Sequence, residues 1–375
     1  MRKPVPAAPQ CCAEFKAAIE RAGRRVTSYD VALLAGVSQS AVSRCFKPGA
    51  SVSKATYARV MKAAEGLDYI PNAAARSLIT RRSNLVALIV CGAAELDHPL
   101  ALAELSRQLA KRGKRVLLFT LERESELDTT LSEVWRHQVD GVIAAAALSE
   151  PQLAEFTRRR VPLVLFNRSA NGPGVSSVLC DQGEAARLLV SKLAAAGHRQ
   201  FALIDGPPDS GMARARLRGM GERAAELGLP APVVVNGSAD YAGGGRGVRA
   251  IVALLGRVPD AILCGNDMLA LGCLDTARHE MGISIPGKMA VAGCDAIEAS
   301  SWLSYRLTTL RQPIAKMAQA AADLLAGLIE TQDATPERRV FCAQLVEGAT
   351  ARLDSEDSRD LALRLALNKH GLMAV

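Results

Sequence analysis

Three side chains near the start of the sequence, Gln39, Ser40 and Arg44, could recognise the edges of DNA bases. Glutamine can form two hydrogen bonds with adenine, arginine can do the same with guanine, and serine can donate or accept. A helix that begins after Ser38 would carry all three in its first two turns, and the first turns of a recognition helix face the major groove. These residue types at this spacing therefore predict a base-reading helix.

The flanking residues predict the elements that would present such a helix. One helix is expected over 27–34, a tight turn over 35–37, a second helix from 38 to about 46 and a third over 53–66. Two helices joined by a short turn that contains glycine are typical of a helix-turn-helix. The predicted N-caps are Thr27 (in a capping box with Asp30), Ser38 and Ser53.

The distribution of charge supports a polyanionic partner for this part of the chain. The 375 residues include 46 Lys and Arg against 38 Asp and Glu, a formal net charge of +8. Residues 1–82 contain 14 basic and 5 acidic side chains, a balance of +9, whereas residues 83–375 contain 32 and 33, a balance of −1. A basic segment ahead of a neutral remainder indicates nucleic-acid binding by the first segment. The length predicts two or three domains and excludes a disulfide-rich miniprotein.

From Leu85 onwards the pattern changes to apolar runs separated by segments of helical periodicity. Runs that are apolar on both faces and alternate with helices predict parallel strands covered on both sides. Because about 260 residues exceed one doubly wound sheet of ordinary size, two α/β lobes with a ligand cleft between them are expected. The predicted strands cover 85–90, 116–119, 141–147, 162–166, 201–205, 233–235, 261–264 and 289–293.

The sequence favours a cytoplasmic location. It contains no 18-residue apolar run, and its basic start is rich in proline where a secretory signal needs an apolar stretch. The nine cysteines are an odd number, and four of them, Cys91, Cys180, Cys264 and Cys294, end apolar runs. This placement predicts buried free thiols rather than disulfides.

The segment from Val26 to Arg44 closely resembles the opening of the lactose/galactose-repressor (LacI/GalR) family of bacterial transcription regulators. Further motifs are similar to those of the same family, in the same order. They are Val52-Ser53, Tyr69 to Asn72, Ala75 to Leu78, Ala196 to Arg199, Gly265 to Gly272 and Leu307 to Pro313. The resemblance covers roughly residues 26–350. It implies an N-terminal all-α helix-turn-helix domain and an α/β, two-lobed effector domain like the type I periplasmic binding proteins.

The resemblance also implies how the head would bind DNA. A hinge helix over 73–79 would lie in the minor groove, where Leu78 would act as an apolar wedge between base pairs. Hydroxyl groups at helix starts would bind phosphate oxygens. The full set of candidate DNA contacts is Thr27, Tyr29, Ser38, Gln39, Ser40, Ser43, Arg44, Ser53, Thr56, Asn72, Ala75 and Leu78.

A second set of candidates follows from the resemblance at the ends of predicted strands, where open α/β sheets bind ligands. Aspartate, asparagine and arginine there suit a sugar or a sugar acid, because they offer charge-assisted and bidentate hydrogen bonds. Two aromatic residues are candidates for stacking on a sugar face. The candidate effector contacts are Asp97, Asn167, Arg168, Arg214, Tyr241, Asn266, Asp267, Asp295 and Trp302.

Two motifs in the predicted cleft depart from the family pattern. Many members have Asn-Pro followed by two aromatic residues after the first strand, whereas this chain has Asp97-His98-Pro99-Leu100. The usual Gly-Phe-Asp-Asp is Gly293-Cys294-Asp295-Ala296. Both changes predict an effector, or an effector response, that differs from those of most members.

Other motifs do not support catalysis or a bound cofactor. The segment 282–289 is similar to a phosphate-binding loop, but it contains proline, lacks the hydroxyl residue after Lys288 and precedes a strand, so a turn is predicted. The glycine-rich segment 243–247 is interpreted as the beginning of a helix. The five histidines lack metal-ligand spacing, and no nucleophile elbow is present. No catalytic residue, metal or cofactor is therefore predicted.

Together these features predict a homodimeric repressor that binds operator DNA under the control of a small-molecule effector. The alternative is a cytoplasmic small-molecule sensor of the same fold that binds no operator. The expected organisation is a flexible tail (1–25), a helix-turn-helix domain (26–70), a hinge helix and linker (71–83), an effector-binding and dimerisation domain (84–350) and a C-terminal tail (351–375). For the first of these, a short helix over 13–22 is an open alternative.

Overall fold

The computed structural model describes residues 12–47, 49–71, 82–91, 99–168, 174–208, 210–331 and 335–353. The chain divides into two units, Met1–Ser83 and Asn84–Val375, each with its own hydrophobic core. The predicted hinge residues Asn72, Ala75 and Leu78, the predicted cleft residue Asp97, and the C-terminal tail from residue 354 lie outside the described residues.

In the described residues of the first unit, four helices surround one small core. The helices are α1 (Cys12–Arg21), α2 (Ser28–Ala35), α3 (Gln39–Cys45) and α4 (Lys54–Gly66). Their buried side chains are Ile19 from α1 and Val31, Ala32, Ala35, Val42, Val60, Ala63, Ala64 and Leu67 from the other three helices and the residue after α4. The helix-turn-helix predicted for this part of the sequence is confirmed.

The predicted caps of this unit are also confirmed. Asp30 accepts hydrogen bonds from the backbone N–H (2.8 Å) and the hydroxyl (2.7 Å) of Thr27, which completes the capping box of α2. Ser38 accepts the N–H of Ala41, and Ser53 accepts the N–H of Thr56. Between α2 and α3, Gly36 adopts φ +62°, a left-handed conformation that glycine tolerates best.

The start of the chain differs from a loose tail. The short helix that the sequence allowed over 13–22 is present as α1 (12–21), and its Ile19 is 2% exposed, which the sequence did not predict. Phe15 and Cys12 also pack against the core of the unit. The apolar side chains of α1 are too few to predict burial by themselves, and the partner surface on the neighbouring helices becomes evident only in the folded unit.

The second unit contains two six-stranded sheets, one in each lobe. The first sheet has the order β11-β5-β4-β3-β1-β2 and the second has the order β12-β10-β9-β8-β6-β7. All neighbouring strands are parallel except β12, which is antiparallel to β10. The strands are β1 (Leu85–Cys91), β2 (Arg115–Leu121), β3 (Gly141–Ala145), β4 (Leu163–Phe166), β5 (Ser176–Cys180), β6 (Phe201–Asp205), β7 (Val233–Asn236), β8 (Ala261–Cys264), β9 (Ala290–Cys294), β10 (Thr308–Arg311), β11 (Arg338–Phe341) and β12 (Gln344–Val346).

Helices cover both faces of each sheet, as the apolar runs predicted. Helices α5 (Pro99–Lys111) and α12 (Ile314–Glu330) cover one face of the first sheet, and α6 (Leu127–Arg136) and α7 (Glu150–Arg159) cover the other. The second sheet lies between α8 (Gln182–Ala195) with α9 (Gly211–Glu226) and α10 (Tyr241–Leu255) with α11 (Asp267–Asp275).

The glycine-rich segment 243–247 lies in the first turns of α10, as interpreted from the sequence. Its glycines allow the backbones of α10 and α11 to pack directly against each other. A Cβ atom on Gly244 would lie 2.0 Å from the carbonyl oxygen of Leu269, so no larger residue fits without movement of a helix.

All eight predicted strands are present, but the sequence prediction omitted β5, β10, β11 and β12. Strands β5 and β10 bury polar side chains, with Ser176, Ser177, Thr308 and Thr309 each 4% exposed or less. These hydroxyl-rich stretches lack the continuous apolar character by which the other strands were predicted. Hydrogen bonds such as that from the backbone N–H of Thr308 to the Thr350 hydroxyl (2.9 Å) offset the burial.

The chain passes between the two lobes three times. It crosses after β5 at Asp181, after β10 at Gln312 and Pro313, and after β11 at Cys342 and Ala343. The first and third crossings are joined by a 2.8 Å hydrogen bond from the backbone N–H of Asp181 to the carbonyl oxygen of Phe341. Three short connections side by side form a natural hinge for the lobes.

The cap of α2 generates a prediction for the stability of the first unit. Hydrogen bonds from Arg24 and Thr27 lower the pKa of Asp30 from 3.8 to about 2. Asp30→Ala should therefore lower the free energy of local unfolding by about 2 kcal/mol at neutral pH. In the wild-type protein this contribution is present above about pH 4 and lost as the pH falls toward 2.

Hydrogen exchange of the α2 amides measures this effect without interference from the second unit. The matched control is Asp68→Ala, which removes an exposed carboxylate paired with Lys16 and should cost much less. Equal losses for the two variants would contradict the assigned role of Asp30.

Candidate functional site

The predicted base-reading side chains lie at the exposed start of α3. Ser40, Ser43 and Arg44 are exposed, and Gln39 is half-buried. The hydroxyls of Ser38 and Ser40 are 3.0 Å apart, and the Arg44 Nε donates to the carbonyl oxygen of Ser40 (3.4 Å). These contacts are weak and local, so water or a base edge can replace them at little cost.

The starts of α2 and α3 lie side by side. The Gln39 side-chain amide donates a 3.2 Å hydrogen bond to the hydroxyl of Ser28, the first residue of α2. The exposed Thr27 and Tyr29 of α2, the latter 72% exposed, therefore share one polar surface with the start of α3. This arrangement suits α2 to contact the DNA backbone while α3 enters the groove.

At the start of α4, the predicted phosphate ligands Ser53 and Thr56 are hydrogen bonded to each other (2.9 Å between hydroxyl oxygens). A surface hollow of about 510 Å³ lies between α3 and α4. Its lining includes Arg44 together with Lys47, Lys54 and Tyr57, which the sequence prediction omitted. In the sequence, the positions of the two lysines, just after α3 and at the first residue of α4, could have indicated that they contact phosphates.

In the second unit, a chain of side-chain hydrogen bonds connects the two lobes. The Asn167 amide, after β4, donates to the Gln312 side-chain oxygen (2.8 Å), and the Gln312 amide donates to Asp295, after β9 (2.8 Å). Asn167 also accepts the backbone N–H of Cys180 (3.2 Å). Asn167 and Asp295 were predicted cleft residues, whereas Gln312 was quoted only as part of a family motif. We call these three residues the interlobe bridge.

The backbone at both ends of the interlobe bridge is unusual. Asn167 has φ +51°, Asp295 has φ +116° and Ala296 has φ +55°. Residues other than glycine rarely adopt such angles, and where they do the conformation is often part of a functional site. The strain fixes the direction in which the Asn167 and Asp295 side chains project.

The two predicted cationic residues lie one in each lobe, and Arg168 directly follows Asn167 of the interlobe bridge. Arg168, in the first lobe, contacts the Sδ of Met212 in the second lobe (3.8 Å) and donates to the carbonyl oxygen of Asn167 (3.1 Å). Arg214, two residues beyond Met212 on α9, is exposed. The geometry thus places one guanidinium group across the interlobe gap and a second on the helix that faces it.

Asn266 and Asp267, also predicted as effector contacts, support the loops around the cleft. Asn266 caps α11 by accepting the N–H of Leu269 (2.8 Å) and donates to the carbonyl oxygen of Ala239 (2.9 Å). Asp267 is 0% exposed and accepts the Thr309 hydroxyl (2.5 Å) and the Ile297 N–H (2.9 Å). Direct contact of Asp267 with a ligand is therefore corrected, because the carboxylate is enclosed by protein.

The predicted stacking residue Tyr241 lies elsewhere. Its hydroxyl donates to Asp275 (2.6 Å), which also accepts the Tyr305 hydroxyl (2.9 Å). These groups line a separate surface hollow of about 470 Å³. Since Asp275 follows Asn266 by nine residues along α11, the Tyr241 hydroxyl is bound roughly 13 Å from the start of that helix, and a stacking role for Tyr241 stays a prediction.

Trp302 follows a short 3₁₀ helix (Glu298–Ser301) and is 55% exposed beside Leu303. A stacking role for Trp302 stays a prediction.

A buried ion pair, missed by the sequence prediction, lies under the cleft. Arg216 donates to both oxygens of Asp205 (2.9 and 2.7 Å) and to the side chain of Gln182 (2.9 Å). Asp205 ends β6 and is 2% exposed. The fit is close, since a Cβ atom on Gly265 would lie 2.0 Å from the Asp205 carboxylate. In the sequence, only the position of Asp205 at the end of a strand indicated that it could take part in such an ion pair.

The expected buried thiols are confirmed. Cys180, Cys264 and Cys294 are free and buried, Cys91 is buried, and burial raises the pKa of Cys180 to about 12. Such thiols are inert at neutral pH. Across the described residues there is no group of three or more His, Cys, Asp or Glu side chains that could hold a metal ion. None of the described helices is long and apolar enough to cross a membrane.

Two family models match the chain. Residues 27–72 match the bacterial regulatory proteins of the lacI family, and residues 190–351 match a periplasmic binding protein-like domain. The chain is 30% identical to the ribose operon repressor of Escherichia coli (strain K12) over 335 residues, which are 87% of this chain and 99% of the relative.

Solved structures agree with these matches. A lac repressor dimer bound to operator and the anti-inducer ONPF is similar with a TM-score of 0.79, 28% identity and coverage of 87% of this chain and 99% of that chain. A complex of the transcriptional regulator CelR with cellobiose is similar with a TM-score of 0.67, 28% identity and coverage of 87% and 100%.

The enclosure of Asp267 generates a prediction for the second unit. Burial raises its pKa from 3.8 to about 7, although the hydrogen bond from Thr309 opposes the shift. A carboxyl group whose pKa is raised by folding stabilises the folded state at low pH, and that contribution is lost as the pH rises through the raised value. Urea unfolding should therefore show lower stability at pH 8 than at pH 5, and Asp267→Asn should reduce the difference.

Asp260→Asn is the control, because hydrogen bonds from the backbone of Gln200 and Arg199 keep the pKa of Asp260 below 3.8 despite burial. That carboxylate stays ionised throughout this pH interval. An unchanged pH dependence in Asp267→Asn would contradict the assignment.

Proposed function

The chain belongs to the LacI family of bacterial regulatory proteins, and on that premise we propose that it is a homodimeric repressor whose affinity for operator DNA is controlled by a sugar or a sugar acid. The observation that carries the proposal is the interlobe bridge. It places donors and acceptors of both lobes at one point of the effector domain, while a separate unit carries the DNA-reading helix.

The DNA-binding half of the proposal is supported by the first unit. Ser38 caps α3, the exposed Ser40 and Arg44 project from its first two turns, and the hydroxyls of α2 and α4 flank it. Gln39 and Arg44 would read base edges, and the hydroxyls and basic side chains would hold phosphates. The lac repressor dimer that resembles this chain is bound to operator, which supports a dimer on a palindromic site.

The effector half is supported by the chemistry of the interlobe bridge. Asn167, Gln312 and Asp295 offer the amide and carboxylate groups that bind sugar hydroxyls, and Arg168 and Arg214 add positive charge that would favour an acid group on the sugar. The related proteins named above include a regulator in complex with cellobiose and a repressor of a ribose operon.

The proposed switch is a shift in the population of lobe arrangements. A ligand that bonds to both lobes at the bridge favours one arrangement about the three crossings. Asn84, the first residue of the second unit, is tied to the first lobe, since its backbone N–H (3.1 Å) and the Lys114 ammonium (2.7 Å) both donate to Asp140. Movement of that lobe would therefore move the point where the linker to the head begins.

The proposal includes the organisation and location of the protein. Residues 12–71 form the head, 72–83 the linker and 84–353 the effector and dimerisation domain, in which Thr350 and Ala351 are still buried. The DNA target implies a cytoplasmic location, and the relatives named as regulators support a role without catalysis. A sensor without operator binding is less favoured, because residues 27–72 match the family's DNA-binding model.

The reading role of α3 predicts a change of operator preference. An operator is first selected from a random duplex library with the wild-type protein, and its binding should weaken steeply with salt. Exchange of residues 39 and 40 (Gln39→Ser with Ser40→Gln) should select a different half-site, since Gln and Ser pair differently with base edges. The control Lys62→Gln, on the exposed surface of α4, should select the wild-type sequence.

A wild-type operator affinity that does not change with salt concentration would contradict the DNA-binding proposal. The same selected sequence for the exchanged protein would show that other residues read the bases.

The cleft predicts a second outcome. A thermal-shift screen of sugars and sugar acids identifies a ligand, and calorimetry then gives its affinity. Asp295→Asn should weaken binding by about tenfold or more, because a charged hydrogen-bond acceptor is lost. Arg214→Gln should weaken the binding of sugar acids more than the binding of neutral sugars.

Asp275→Asn is the control, because that carboxylate serves Tyr241 and Tyr305 in the separate hollow. Equal losses for Asp295→Asn and Asp275→Asn would contradict the placement of the effector site at the interlobe bridge.

A further inference from the structure

The head contains a segment that lies ahead of the family match. The lacI-family model matches the chain from residue 27, whereas the described part of the head includes α1 from Cys12 and the connection over 22–25. This segment has no assigned role in reading the operator. Its packing and its charge, however, both place it beside the DNA-reading helices.

The segment is fixed to the rest of the head at both of its ends. At the start of α1, Cys12 packs so closely on α4 that a Cβ atom on Gly66 would lie 2.5 Å from its sulfur, and Lys16 forms an ion pair with Asp68 after α4. In the middle, Ile19 is buried in the core. Segment 12–25 is therefore a structural part of the head.

Its far end is joined to the start of α2. Gly23 turns the chain at φ +62°, and the Arg24 guanidinium then donates to both oxygens of Asp30, each at 2.7 Å. Asp30 is the same carboxylate that caps α2 through Thr27. This bidentate pair fixes the direction of the backbone at 24–25 relative to the N-terminus of α2.

The charge of the segment is used only in part by these contacts. It contains four basic residues, Lys16, Arg21, Arg24 and Arg25, and two acidic residues, Glu14 and Glu20. Lys16 and Arg24 are held in ion pairs. Arg21 and Arg25 are exposed, and neither forms an ion pair with any residue that the structure describes. Two cationic side chains thus project from a rigid support.

We infer that Arg25, assisted by Arg21, binds backbone phosphates of the operator next to those contacted by α2. Arg25 precedes Thr27 by two residues, and the hydrogen bond between Gln39 and Ser28 holds the start of α2 against the start of α3. In a helix-turn-helix the helix before the recognition helix crosses the DNA backbone, so the residues that lead into it reach phosphates. A guanidinium group is well suited to this contact, since it binds phosphate bidentately.

The inferred contact adds affinity without adding sequence preference, because phosphates are the same at every base pair. It rests on the proposed DNA binding and extends the DNA-contacting surface beyond residue 27. Each lost phosphate contact lowers the slope of log affinity against log salt by about 0.9, which is about eightfold in affinity at about 0.1 M salt. A dimer that loses one contact in each head should lose about 2 units of slope.

The test compares Arg25→Gln with Lys62→Gln in the full-length protein, on the selected operator and on a random-sequence duplex. Arg25→Gln should lower the slope of log affinity against log salt and should weaken binding to both duplexes to a similar extent. Lys62→Gln should leave that slope unchanged. Arg25→Lys should retain most of the slope, because an ammonium group also binds phosphate. Ethylation interference should show phosphates at which modification blocks the wild-type protein but not Arg25→Gln.

The outcomes separate this inference from the proposal on which it rests. A wild-type protein without steep salt dependence would overturn DNA binding itself. A steep wild-type slope that Arg25→Gln leaves unchanged would overturn only the phosphate contact, and would leave segment 12–25 with a purely structural role. Equal effects of Arg25→Gln and Lys62→Gln would also overturn it, as they would reflect general charge.

Discussion

The side chain of Gln312 accepts a hydrogen bond from Asn167 of one lobe and donates one to Asp295 of the other. An amide can do both at once, whereas a carboxylate has no proton to donate at neutral pH and an ammonium group cannot accept. Gln312 lies on one of the three crossings, so the same residue belongs to the hinge and to the candidate cleft. A ligand that bound at this point would therefore also act on the movement of the lobes.

The groups beneath the bridge have a different task from those within it. Asp205 and Arg216 are buried and joined by two hydrogen bonds, and Asp267 is enclosed between Thr309 and Ile297. Buried charges of this kind are costly unless they are fully bonded, and once bonded they hold the surrounding loops firmly. The contrast explains why a polar residue at a strand end is not necessarily a ligand contact.

The sequence predicted the elements of this protein better than the directions of its side chains. Caps such as Thr27 with Asp30 have local spacing rules, and the apolar strands have a pattern that can be read one segment at a time. Strands β5 and β10 were missed because their buried serines and threonines carry no apolar signal. Tyr241 was predicted to stack on a sugar face because aromatic residues are few in this chain, yet only the packing of α10 against α11 determines that its hydroxyl meets Asp275. The burial of α1 was likewise invisible without its partner surface.

The three crossings also govern the order in which the lobes can be completed during synthesis. The first lobe begins at residue 85, but its sheet needs β11, whose Arg338 pairs with Ser177, and its core needs α12. Almost the whole second lobe must leave the ribosome before those pieces arrive. Until then β5 has an open edge, and contacts between such distant segments form slowly. A nascent chain of this protein therefore carries an unfinished first lobe, with the edge of β5 unpaired, for much of its translation.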